Sequence, residues 1–154
     1  ILAHLTKISG GNIVKNGTIK LTCSHFCCGS IDNFVDFNCV DSIHVTQDAP
    51  RWIQFDFNGR KIQLNSYAIK SSNRNVRIKS WKIEISQDGN GWTTIDEQNN
   101  VNELSVENKT KLIPVQMTNP FSFLRISTDQ QSFDGYNEFS IGKLEFFGKV
   151  YFLN

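Results

Sequence analysis

The sequence predicts an all-β fold, an antiparallel sandwich or barrel of short strands. Three observations carry that reading. Phe, Ile, Val, Tyr and Trp are frequent while Ala and Met are scarce, a bias toward side chains that pack on a pleated surface. Apolar and polar residues alternate in several short runs, and alternation sends one face of each run inward. Gly, Asn and Asp punctuate the runs, and these residues tolerate the positive φ of tight turns.

In WIQFDF (52–57), Ile53, Phe55 and Phe57 fall on one face and Trp52, Gln54 and Asp56 on the other. In SWKIEIS (80–86), Trp81, Ile83 and Ile85 alternate against Lys82, Glu84 and Ser86, and FLRIS (123–127) and KLEFFG (143–148) repeat the pattern. Turns are expected at Asn58-Gly59, Asp88-Gly89-Asn90-Gly91, Gln98-Asn99-Asn100 and Asp134-Gly135; the second joins SWKIEIS to WTTID as an antiparallel hairpin. No stretch of ten residues keeps a helical period, so helices are expected to be short or absent. Trp52, Trp81 and Trp92 are expected to fill the core or its edge, and Asp56 and Arg125 are candidates for a cross-sheet ion pair.

At 154 residues the chain has the size of one domain, read here as a single unit over 1–154, and its start at Ile1 points to a piece of a longer protein. Sixteen basic and fifteen acidic side chains leave a net charge of +1, too little to gather nucleic acid or an anionic membrane at long range. No apolar run reaches the length of a membrane span. GxSxG, HExxH and a phosphate-cradling glycine loop are all missing, so the chain is read as non-catalytic.

The order PRWIQFDF (50–57), IQLNSYAIKSS (62–72), KSWKIEISQDGNGWTTID (79–96), FSFLRIST (121–128) and IGKLEFFG (141–148) resembles the discoidin family, the coagulation factor 5/8 type C domains of the galactose-binding-like superfamily. The opening, LAHLTKISGGNIVKNGTIKLTCS, is similar to protist members and to intracellular members found beside BTB regions. The resemblance implies a jelly-roll β-sandwich whose ligand loops lie at the end opposite the termini. It places those loops near 24–38, 43–50, 71–79 and 129–139 and implies a recognition module for phospholipid head groups, sugars or proteins.

Two departures from the family bear on function. Secreted members commonly tie their termini with a disulfide, but Lys149 stands where its second cysteine would be and no cysteine lies near residue 1. Its absence favours a reducing, cytoplasmic setting over a cell surface. Fucose binders carry an Arg-x-Asp element, and no arginine of this chain is followed two places later by Asp.

The candidate ligand-binding residues are Phe26, Cys27 and Cys28 on the first loop, His44 on the second, Asn73, Arg74, Asn75 and Arg77 on the third, and Phe133, Asp134 and Tyr136 on the fourth. Arginine forks suit carboxylate or phosphate, asparagine suits hydroxyl or backbone groups, and aromatic faces hold sugar rings or peptides. Cys23, Cys27, Cys28 and Cys39 are expected mainly as free thiols. A disulfide between two of them, or zinc held with His25 and His44, is the alternative. No cofactor is expected; calcium on Asp48, Asp88 or Asp134 is a further option. Asn16-Gly-Thr and Asn108-Lys-Thr are glycosylation sequons. A protein partner is the leading expectation, and a carbohydrate- or phospholipid-binding adhesion role is the second.

Overall fold

The computed structural model describes residues 1–25, 27–28, 30–46 and 49–153, the side chains of Cys27 and Cys28 excepted. Eleven strands are described: β1 (Lys20–Cys23), β2 (Cys27–Cys28), β3 (Ile43–Val45), β4 (Arg51–Asp56), β5 (Lys61–Lys70), β6 (Trp81–Ser86), β7 (Thr93–Gln98), β8 (Thr110–Pro114), β9 (Phe123–Thr128), β10 (Phe139–Ile141) and β11 (Lys143–Tyr151). They form a five-stranded sheet ordered β1-β4-β9-β6-β7, a three-stranded sheet β11-β5-β8 and a small sheet β10-β3-β2, with every named pair antiparallel.

The alternation in the sequence becomes the packing. Ile53, Phe55 and Phe57 are fully buried, and so are Ile83, Leu124 and Ile126 from the neighbouring strands. They meet Ile62, Leu64, Tyr67, Ile69, Leu144 and Phe146 of the three-stranded sheet. Phe55 and Phe146 touch edge to face with ring centroids 5.1 Å apart, an arrangement that adds to plain area burial. The burial pattern of β5 skips a beat between Leu64 and Tyr67, where the register with β11 shifts at Phe147/Gly148. A bulge of this kind re-aims the strand. Gly148 makes it sterically feasible, since at φ 148 a Cβ there would lie 1.9 Å from the Gln63 carbonyl oxygen.

Helices are short, as the sequence implied: α1 (Leu2–Ser9), the four-residue α2 (Ile31–Phe34) and a 3-10 turn at Asn102–Leu104. Only Leu2 and Leu5 of α1 reach the core, so its inward face is one turn long. Glu145 of β11 caps it from outside, accepting hydrogen bonds from Leu2 N at 2.7 Å and Ala3 N at 2.9 Å. No described helix is long and apolar enough to cross a membrane.

Of the three tryptophans, Trp81 alone fills the core, at 2% exposure. Trp52 and Trp92 stand half-buried on the outer face of the five-stranded sheet, correcting the expectation for them. The guanidinium of Arg125 lies over the Trp92 ring, 4.2 Å from its centroid. Arg125 pairs with Glu84 rather than Asp56, because Glu84 sits directly opposite it in register. Asp56 instead accepts a hydrogen bond from Asn58 N and closes the turn there.

Candidate functional site

β11 begins beside Lys70 and ends beside Lys61, so the loops that flank Lys70 and Lys143 occupy the end of the sandwich away from the C-terminal strand end. The four predicted loops do meet there. Cys28 pairs with His44, His44 with Ser140, and Ser140 forms a bridge with Arg77. One row of backbone thus links all four segments. Gly142 allows the turn between β10 and β11, because a Cβ there would lie 2.7 Å from the Ser71 carbonyl oxygen.

His44 projects from β3 with its Nε2 3.0 Å from Glu138 Oε2, the two side chains 18% and 29% exposed. Behind them Arg51, 1% exposed, donates from Nη2 to the Gln130 carbonyl at 2.7 Å. Burial pushes the Arg51 guanidinium below its ordinary pKa, and the carboxylates of Asp129 and Glu138 oppose that shift. The loop end is therefore built on a buried cation flanked by two acids.

Several predicted ligand residues hold the loops themselves. Arg77 donates from Nε to the Ser72 carbonyl at 2.8 Å and from Nη1 to the Ser105 carbonyl at 3.3 Å. Asp134 accepts from Val76 N at 2.9 Å, and Asn73 Oδ1 accepts from Ser42 Oγ at 2.9 Å. Phe133 is half-buried and packs against the core. Arg74 and Asn75 have exposed side chains, and Tyr136 is 59% exposed. Ser140 Oγ donates to the Asn75 carbonyl, and Tyr136 N donates to Ser132 Oγ, so both residues ride on anchored backbone. Phe26 lies outside the described residues, and so do the side chains of Cys27 and Cys28.

Glu138 and Arg51 were missed as site residues. Arg51 opens β4 and Glu138 immediately precedes β10, and neither carries a local signal; the pairing of β3 with β10 is what brings His44 to Glu138.

The cysteines correct the free-thiol expectation in part. Cys23 is disulfide-bonded, whereas Cys39 is a free thiol. β1 ends at Cys23 in the five-stranded sheet, and Cys27 and Cys28 pair with β3 in the small sheet, so these cysteines belong to two different sheets. Among the described residues no three His, Cys, Asp or Glu side chains converge on a common point. Asp88 accepts from Asn90 N and Gly91 N and closes its own turn, and Asp48 lies outside the described residues.

Solved structures similar to this chain share its sandwich. CBM32-3 from a family 31 glycoside hydrolase of Clostridium perfringens is 23% identical with a TM-score of 0.69, over 86% of this chain and 92% of that one. CpGH89CBM32-5 of the same organism, in complex with GalNAc-β-1,3-galactose, is 17% identical with a TM-score of 0.67, over 86% and 96%. Chitosan-binding module 1 from a chitosanase/glucanase of Paenibacillus sp. IK-5 is 15% identical with a TM-score of 0.64, over 85% and 96%. Comparison with the curated proteins returns no match. The family model of the F5/8 type C domain matches residues 35–139, which span β3 through the start of β10 and three of the four loops in full, and the chain belongs to that family.

Proposed function

We propose that this chain is a carbohydrate-binding module whose sugar sits at the loop end, against His44, Glu138, Arg74, Asn75 and Tyr136. The observation that carries the reading is the His44–Glu138 pair, partly exposed and near a buried arginine, with the exposed ring of Tyr136 two residues before Glu138 on the same loop. A sugar ring offers hydroxyls that donate and accept, and an apolar face that stacks on an aromatic. The pair, the asparagine and the arginine supply both hydrogen-bonding senses, and Tyr136 supplies the stacking surface.

The named ligands of the structural neighbours, GalNAc-β-1,3-galactose and chitosan among them, support a sugar over the protein partner expected first. The disulfide at Cys23 supports it as well, since disulfides persist in the oxidising settings where a cell-surface or secreted sugar binder works. A near-neutral chain lacks the charge that usually joins apolar burial in membrane docking, which sets the phospholipid version behind the sugar.

The test is a glycan array followed by titration calorimetry with galactose, GalNAc-β-1,3-galactose and chitosan oligomers. A hit that weakens about tenfold or more in His44→Ala and in Tyr136→Ala, two lost contacts' worth, supports the site. An array without a single hit, or binding unmoved by both substitutions, overturns it.

A further inference from the structure

A cleft of about 280 Å3 opens on the outer face of the five-stranded sheet, lined in part by Pro50, Lys82, Glu97, Asn99, Asp129 and Gln130. It lies at the loop end of that face, where β4 and β6 begin and β7 and β9 finish. None of these residues belongs to the His44–Glu138 site.

The floor is rigid. Glu84 accepts from Arg125 Nε at 2.7 Å and Nη2 at 3.3 Å, and from Ser127 Oγ at 2.7 Å. The Arg125 plane is in turn fixed over Trp92. A bidentate fork with a third donor leaves this carboxylate no freedom to rearrange around a ligand. The walls are different. Lys82, Glu97 and Asn99 are exposed, and their side chains make no hydrogen bond or ion pair among the described residues. They present donors and acceptors over a preformed floor.

The formal charges balance: Arg125 against Glu84, Lys82 against Glu97, its register partner across the strands, and the buried Arg51 against Asp129. No surplus of either sign is left to select an anion or a cation. The fitting ligand is neutral and rich in hydroxyls.

Arg51 joins the cleft to the loop-end site. It donates to the carbonyl of Gln130 in the cleft wall, and its charge is near enough to feel both Asp129 of that wall and Glu138, the partner of His44. The same loop, 129–139, forms one edge of each.

We infer that the cleft is an extension of the loop-end site, so that the chain binds a neutral oligosaccharide lengthwise: a terminal sugar at His44 and Glu138, and the next units over Lys82, Asn99 and Gln130. This rests on the carbohydrate reading above, and it fixes the ligand as an oligomer rather than a single sugar.

Titration of galactose, N-acetylgalactosamine, GalNAc-β-1,3-galactose and neutral tri- and tetrasaccharides with the same terminal unit tests it, on the wild-type chain and on Lys82→Ala/Asn99→Ala. Both side chains are exposed, so folding is preserved, and thermal melting checks that it is. The expected result is a gain of about tenfold or more from one sugar to three, two hydrogen bonds' worth, removed in the double variant while monosaccharide affinity holds. Monosaccharide binding with no gain on lengthening, or a gain that the double variant keeps, overturns the extension and leaves the loop-end site standing. Tighter binding of a sulfated than of the matching neutral trisaccharide overturns the neutral class. Silence from every sugar overturns both the extension and the reading beneath it.

Discussion

Trp81 Nε1 donates to Tyr67 Oη at 2.8 Å, a hydrogen bond that crosses the core from the five-stranded sheet to the three-stranded one. Tyr67 Oη donates onward to Asp96 Oδ2 at 2.6 Å. Burial, with Asp96 beside it, pushes the Tyr67 hydroxyl well above its ordinary pKa, so it stays a donor at any pH the fold survives. Two large polar-tipped aromatics are thereby buried with their polar groups satisfied, which is the condition for placing them in a core at all.

Tyr67→Phe keeps the ring and removes the oxygen, leaving the buried indole N–H of Trp81 without its acceptor. The expected cost is about 1–3 kcal/mol, the range for a buried donor left unsatisfied. Urea unfolding followed by tryptophan fluorescence checks it. An unchanged midpoint would mean that water replaces the hydroxyl.

Glu84 gives a pH prediction. Burial alone would raise its carboxyl, but hydrogen bonds from Arg125 and Ser127 outweigh burial and hold it below the ordinary value of 4.5. The folded chain therefore binds this proton more weakly than the unfolded chain does. The carboxylate stabilises the fold above that ordinary value, and the contribution is lost as pH falls through the depressed one. Glu84→Gln is expected to lower Tm at pH 7 and to flatten its decline between about pH 5 and pH 3. Parallel melting curves for the two proteins across that range would contradict the assignment.

Gly148→Ala and Gly10→Ala separate contact from conformation. Both glycines have positive φ, but a Cβ at Gly10 meets nothing within 4 Å whereas one at Gly148 collides with backbone. Gly10→Ala is expected to cost about 1–2 kcal/mol, the left-handed penalty of an L-residue. Gly148→Ala should cost clearly more, or prevent folding, because the Gln63 carbonyl belongs to a paired strand and cannot move aside. Equal midpoints in a denaturant series would remove the bulge from the account of β11.

The disulfide at Cys23 predicts that denatured, unreduced protein titrates fewer than four thiols, with all four recovered after reduction. Four thiols without reductant would restore the free-cysteine expectation and, with it, the case for a reducing compartment.

Strand alternation and turn chemistry are local, and so the sequence by itself determined the sheets' inward faces: Ile53, Phe55 and Phe57 are buried because every second side chain points the same way. The order of motifs also determined the family and the four loops that cluster. Which residues in those loops stay free was decided by tertiary structure alone. Arg74 and Arg77 are three places apart on one loop, yet one is exposed and the other is tied to the carbonyls of Ser72 and Ser105. Likewise His44 became a site residue with Glu138, 94 positions away, through the pairing of β3 with β10. Hydrogen-bond partners at such separations depend on register, and register is set by the whole core rather than by any neighbouring residue.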